Sequence, residues 1–192
     1  GLNMDDYVHI TSFSHFPFYT EGLLEVPDNW EMNRFHNVPL DELIQIMDYA
    51  LNNGYTVAWD GDVSERGFSH ANGVAINPDL ARVESLAGTD RARFEAAQGA
   101  PAANQALFEK PGPEINVTQE IRQNGYETYV TSDDHLMHVT GIVKDQNGTK
   151  YYITKNSWGT DRNPHGGYLN MSESYVRAKT VFILVHKDAV PE

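Results

Sequence analysis

The sequence predicts an α+β fold in a single domain, and three observations support this. A helical apolar pattern occurs in the first half, β-type runs dominate the second half, and no repeat or linker divides the 192 residues. The chain is 40% hydrophobic and 21% charged, which is typical of a folded protein rather than a disordered one. We therefore expect one core with a largely antiparallel sheet.

The first half is predicted to contain a strand, an ordered loop, a helix, a second strand and a polar turn. In chain order these elements occupy residues 7–13, 15–19, 40–51, 55–59 and 60–64. The helix follows Pro39, and its apolar residues recur at positions i, i+3, i+4 and i+7. Asp41 and Glu42 suit its first turn, and Gly54 suits its end.

The second half is predicted to contain a short helix followed by three strands. Residues 118–123 form the helix, with Thr118 as its cap, and the strands are 137–144, 151–155 and 179–186. The turn 145–148 between the first two strands indicates a hairpin. Residues 77–116 are rich in Ala, Arg, Glu, Gly and Pro, which indicates a surface insertion with a helical stretch over 80–97.

Charge and cysteine content exclude several classes of function. Fourteen basic against 27 acidic residues give a net charge of −13, so we expect no nucleic-acid partner. No long apolar run and no signal-peptide pattern occur, so we expect a soluble chain without a membrane partner. Zero Cys removes disulfides, thiolate metal sites and a thiol nucleophile from these residues.

The strongest chemical motif is a histidine at the start of a strand with an asparagine 18 positions later. A hairpin is expected to bring His138 and Asn156 together. An imidazole that acts as a base needs a partner on its second nitrogen, and a neutral amide fixes its tautomer without adding charge. Trp158 is expected to shield that hydrogen bond from water.

These residues and their surroundings resemble the papain-like cysteine peptidases, most closely the bleomycin hydrolase and aminopeptidase C branch. The segments that carry the resemblance span nearly the whole chain. They are residues 5–8, 25–30, 53–55, 59–65, 133–138, 156–159 and 167–169. The resemblance implies that residues 1–192 form the C-terminal, antiparallel-sheet-rich half of a papain-like domain, with flanking helices.

The resemblance also implies a Cys, His, Asn site in which His138 is general base and acid and Asn156 orients its ring. The Cys and an oxyanion Gln would lie on an N-terminal half that is missing here, so the chain alone is expected to be inert. It further implies a cytoplasmic aminopeptidase with a peptide substrate, no cofactor, and a homo-oligomer, a hexamer by family resemblance. Asp60, Asp62 and Val63 are candidates for the substrate cleft.

Two alternatives remain open at this point. The first is a non-enzymatic peptide-binding or scaffold protein that keeps the peptidase sheet but lacks the nucleophile. The second is a metal-dependent binding module that uses Asp133, Asp134 and His135. Strand positions three apart face opposite sides of a sheet, so His135 and His138 are not expected to share a metal. The remaining histidines receive no role; they are His9, His15, His36, His70, His165 and His186.

Overall fold

A computed structural model of the protein describes residues 3–27, 29–80 and 107–191. These residues form one ten-stranded mixed sheet and three α-helices. The strands are β1 (Tyr7–Thr11), β2 (Thr20–Leu23), β3 (Arg34–Asn37), β4 (Val57–Gly61), β5 (Phe68–Ser69), β6 (Val74–Ala75), β7 (His135–Lys144), β8 (Lys150–Lys155), β9 (Tyr168–Ser172) and β10 (Thr180–His186). The helices are α1 (Leu40–Asn52), α2 (Gln119–Glu127) and α3 (Glu173–Lys179).

The sheet has the order β2-β3-β1-β10-β4-β7-β8-β9-β6-β5. The β1–β3 and β6–β9 pairs are parallel, and the other neighbouring strands are antiparallel. The predicted α+β class and the antiparallel character of the second half are therefore confirmed. No helix within the described residues has the length and apolarity needed to cross a membrane.

Helix α1 forms as its apolar spacing predicts. Leu43, Met47 and Ala50 have no exposed surface, and they belong to the same buried cluster as residues of the central strands. Pro39 precedes the first turn, where its missing N–H costs nothing. Gly54 follows the helix at a φ of 82°, a left-handed conformation that favours glycine.

The predicted hairpin forms between β7 and β8, and it contains a β-bulge. Asp145 Oδ1 closes the turn by accepting hydrogen bonds from the backbone N–H groups of Asn147 and Thr149. Near the turn, Gly141 pairs with Ile153. Beyond Thr140 the register shifts by one residue, so that Val139 pairs with Thr154 and His138 with Lys155.

Several short elements carry too little pattern for sequence-based prediction. Strands β2 and β3 have four residues each, β5 and β6 have two, and α3 has seven. The predicted insertion over 77–116 lies partly outside the described residues, and its helical stretch over 80–97 almost wholly so. Its two described ends lie side by side, because Pro78 forms a bridge with Glu114 and the Ile115 N–H donates to the Asn77 carbonyl.

Three buried tyrosines are expected to resist ionisation while the fold is intact. Burial raises the pKa of Tyr151 to about 12, and it also raises the pKa of Tyr152 and Tyr175. In an unfolded chain the phenol of tyrosine has a pKa of about 10, so the folded state binds the phenol protons of these three residues more tightly. This contribution to stability is complete below pH ~10 and is lost as the pH rises through the folded-state values.

A tyrosinate absorbance titration combined with near-ultraviolet circular dichroism measures this effect. Of the ten tyrosines, we expect at least these three to ionise only as the near-ultraviolet signal disappears. In urea all ten should titrate together. Ionisation of all ten with the near-ultraviolet signal intact would contradict the prediction.

Candidate active site

The central feature of the site is a hydrogen bond between His135 and Asn156. The distance from His135 Nε2 to Asn156 Oδ1 is 2.9 Å. His135 begins β7 and is half-buried, whereas Asn156 follows β8 and is 2% exposed. Strand β7 lies between β4 and β8 in the sheet, so His135 projects from a central strand and Asn156 from the end of its neighbour.

The orientation of the Asn156 amide is fixed by its neighbours. The Ser157 backbone N–H donates to Asn156 Oδ1 at 2.7 Å, so this oxygen must be the acceptor on the side that faces His135. The backbone N–H of Asn156 donates to the Gly167 carbonyl at 3.0 Å. Because Oδ1 is an acceptor only, the proton of the His135 ring lies on Nε2.

The prediction that His138 meets Asn156 is wrong. In β7, residues 135, 137 and 139 face one side of the sheet, while His138 is exposed on the other side. A regular continuation of the hairpin would set residue 138 opposite residue 156, but the bulge at Thr140 shifts the pairing by one. The shift places Asn156 on the face that carries His135.

The second ring nitrogen of His135 is available for chemistry. Within residues 3–27, 29–80 and 107–191, His135 Nδ1 has no hydrogen-bond partner. The bond to Asn156 holds the ring through Nε2 and leaves Nδ1 able to accept or release a proton. A neutral amide performs this orienting role without a buried charge.

Trp158 lies beside the pair. Its ring centroid is 5.0 Å from that of His135 and 5.6 Å from those of His70 and Phe68. The side chain is 53% exposed, so its outer face stays open to solvent. Shielding of the His135–Asn156 bond by this indole stays a prediction.

Two of the three cleft candidates are buried, and their place beside a substrate cleft stays a prediction. Asp60, in β4, and Asp62, directly after it, have no exposed surface, and only Val63 is half-buried. Asp62 instead links two loops, since Oδ1 accepts from the N–H and the hydroxyl of Ser64 and Oδ2 accepts from the N–H of Ser132 at 3.2 Å. Burial raises the pKa of Asp62.

The metal alternative has no support in this region. Where the structure describes the chain, no group of three or more His, Asp or Glu side chains is arranged to hold a metal ion. His135 uses Nε2 for Asn156, and His138 lies on the opposite face of the sheet.

Sequence reasoning missed His70 and Asn163. His70 Nδ1 lies 3.3 Å from Asn156 Nδ2, and Asn163 Nδ2 donates to the carbonyls of His70 and Tyr168. Asn163 Oδ1 accepts the backbone N–H groups of His165 and Gly167, so one buried amide fixes the loop after β8. No local pattern indicates these contacts, because His70 lies 86 positions from Asn156.

Two of three comparisons with known proteins find similar proteins. Residues 114–192 match the model of the Peptidase C1-like family, and this range contains both His135 and Asn156. A search of curated proteins finds no match. Among solved structures, PepW from Lactobacillus rhamnosis HN001 is similar with a TM-score of 0.66 at 18% identity, over 100% of this chain and 37% of the PepW chain.

Two plant proteases are also found, with lower scores. The bromelain protease from Ananas comosus, solved in complex with the E64 inhibitor, has a TM-score of 0.38 at 18% identity, over 74% of this chain and 45% of its own. The Amb a 11 cysteine protease from ragweed pollen, in its proform, has a TM-score of 0.36 at 16% identity, over 76% of this chain and 27% of its own. The family match and the fold shared with PepW confirm that this chain resembles the papain-like cysteine peptidases.

Proposed function

We propose that the chain supplies the imidazole and the amide of a Cys, His, Asn peptidase site, with His135 as general base and acid. One observation carries the proposal: Asn156 holds His135 through Nε2, while Nδ1 has no partner among the described residues. A thiol that approached Nδ1 would transfer its proton to the ring and become a thiolate, which is the reactive form of cysteine.

The proposed reaction proceeds through an acyl-enzyme. The thiolate attacks the peptide carbonyl, a C–S bond forms, and the C–N bond breaks as His135 gives its proton to the leaving amine. Water then attacks the thioester carbonyl while the neutral His135 ring takes a proton from the water; a C–O bond forms and the C–S bond breaks, which releases the acid product and the thiolate. Asn156 keeps the ring oriented in both steps.

The nucleophile is proposed to lie on residues beyond these 192. The chain contains no Cys and spans about 37% of the length of the PepW chain, so most of a protein of that size lies outside it. We assign the Cys and an oxyanion Gln to an N-terminal half, and we assign aminopeptidase specificity and homo-oligomeric assembly to the full-length protein.

Thiol labelling of the full-length natural protein tests this function. We expect a mass well above 21.6 kDa and one thiol that reacts rapidly with iodoacetamide at neutral pH, with loss of peptidase activity in step with labelling. The control is labelling after denaturation in urea, where every thiol should react at an ordinary rate.

A pair of peptides tests the aminopeptidase assignment. A peptide with a free N-terminus should be cleaved, and its N-acetylated counterpart should be resistant. Equal cleavage of both peptides would contradict exopeptidase specificity and leave the Cys, His, Asn mechanism in place. Absence of a reactive thiol and of peptidase activity would favour the non-enzymatic peptide-binding alternative.

A further inference from the structure

A second histidine lies on the far side of the Asn156 amide. His70 Nδ1 is 3.3 Å from Asn156 Nδ2, and His70 Nε2 is 3.2 Å from the carbonyl of Gly159. The amide of Asn156 therefore lies between two imidazole rings, with His135 on its oxygen and His70 on its nitrogen.

Only one arrangement of protons satisfies all of these contacts. The Ser157 N–H fixes Oδ1 as the acceptor next to His135, so Nδ2 must donate towards His70. His70 Nδ1 must then be unprotonated, which places the ring proton on Nε2, where it donates to the Gly159 carbonyl. The hydrogen bonds thus run in one direction, from His135 through Asn156 and His70 to Gly159.

The main chain at His70 is held independently of its ring. Asn163, which is 6% exposed, donates to the His70 carbonyl at 2.8 Å. The residue follows β5, which pairs with β6, and its ring packs edge-on against Trp158. The imidazole is therefore presented to Asn156 from a fixed backbone position.

We infer that His70 is a positioning residue that holds the Asn156 amide in place for His135. This inference rests on the proposed function. Without the acceptor at His70 Nδ1, the Asn156 amide would keep only the contacts of its oxygen, with Ser157 and His135, and would rotate more freely. His135 would then populate the Nε2–H tautomer less completely, and the rate of proton transfer would fall while substrate binding stayed the same.

Two conservative substitutions separate the functions of the two ring nitrogens. His70→Asn places an amide oxygen near the position of Nδ1, which keeps the acceptor for Asn156 and loses the donor to Gly159. His70→Gln extends its amide towards the position of Nε2, which keeps that donor and loses the acceptor. In the full-length protein we expect His70→Gln to lower kcat about 10-fold with KM nearly unchanged, and His70→Asn to stay within about 3-fold of wild type.

Nitrogen-15 NMR of histidine-labelled full-length protein, alkylated with iodoacetamide so that no thiol can protonate His135 and held at mildly alkaline pH, measures the tautomers without turnover. We expect both His70 and His135 to carry the proton on Nε2. In His70→Gln the His135 signal should shift towards a mixture of tautomers, and His70→Asn should leave that signal unchanged.

The outcomes separate this inference from the proposed function. A proton on His70 Nδ1 would overturn the inference, as would equal loss of kcat in the two variants or a greater loss in His70→Asn. If any of these occurred while His135→Ala abolished turnover, only the role of His70 would fail. Full activity of His135→Ala would instead overturn the proposed function.

Discussion

Replacing His135 with alanine is expected to lower kcat of the full-length protein by about 10³-fold or more. His135 is the imidazole that Asn156 orients, and its Nδ1 is the proposed site of proton exchange with the thiol. The same variant should also slow alkylation of the thiol at neutral pH, because the thiolate would lose its imidazolium partner. Steady-state kinetics and timed alkylation measure the two effects.

His138→Ala is the matched control for this experiment. It removes the same side chain from the same strand, three positions along, on the exposed face of the sheet. We expect activity and alkylation within about 2-fold of wild type, since isolated surface substitutions have small effects. The reverse pattern, an inactive His138→Ala and an active His135→Ala, would restore the assignment predicted from the sequence.

Replacing Trp59 with alanine is expected to lower the free energy of unfolding by about 3–5 kcal/mol. Trp59 has no exposed surface, and its indole N–H donates to Thr180 Oγ1 at 2.7 Å. It pairs with Ile183 in β10 and Met137 in β7, so the cavity would form in the centre of the sheet. Urea denaturation of the full-length protein measures the change.

Trp30→Ala provides the comparison, because this tryptophan is 79% exposed. We expect its effect on stability to stay within about 0.5 kcal/mol. The loss of stability in Trp59→Phe should fall between those of Trp59→Ala and Trp30→Ala, since Phe keeps most of the buried ring and loses the hydrogen bond to Thr180. Similar losses for Trp59→Ala and Trp30→Ala would contradict the packing argument.

The elements that could be predicted from the sequence are those with several residues of one periodicity. Helix α1 has a buried stripe over three turns, and the β7–β8 hairpin combines two β-type runs with an Asp-Gln-Asn-Gly turn. Strands β2 and β3 could not be predicted, since a four-residue strand offers two alternations at most. Their position beside β1 depends on contacts that the local pattern does not contain.

The candidate site could be predicted in part. Asn156 and Trp158 lie in a motif, and both lie beside the imidazole of His135. The choice of imidazole failed because spacing alone does not reveal a bulge. The phase of β7 contained the missing information, since His135 alternates with the apolar Met137 and Val139 and is therefore on the inward face.

The bulge in the β7–β8 hairpin decides which histidine of β7 lies on the same face of the sheet as Asn156. Thr140 is the extra residue, and its side chain is exposed, so a substitution there leaves the pairing unchanged. Deletion of this one residue would leave Val139 opposite Thr154 and His138 opposite Lys155, whereas pairing of the same chain without the bulge would set His138 opposite Asn156. In this hairpin, the register of the two strands therefore has a greater effect on the chemistry than the side chain at the bulge.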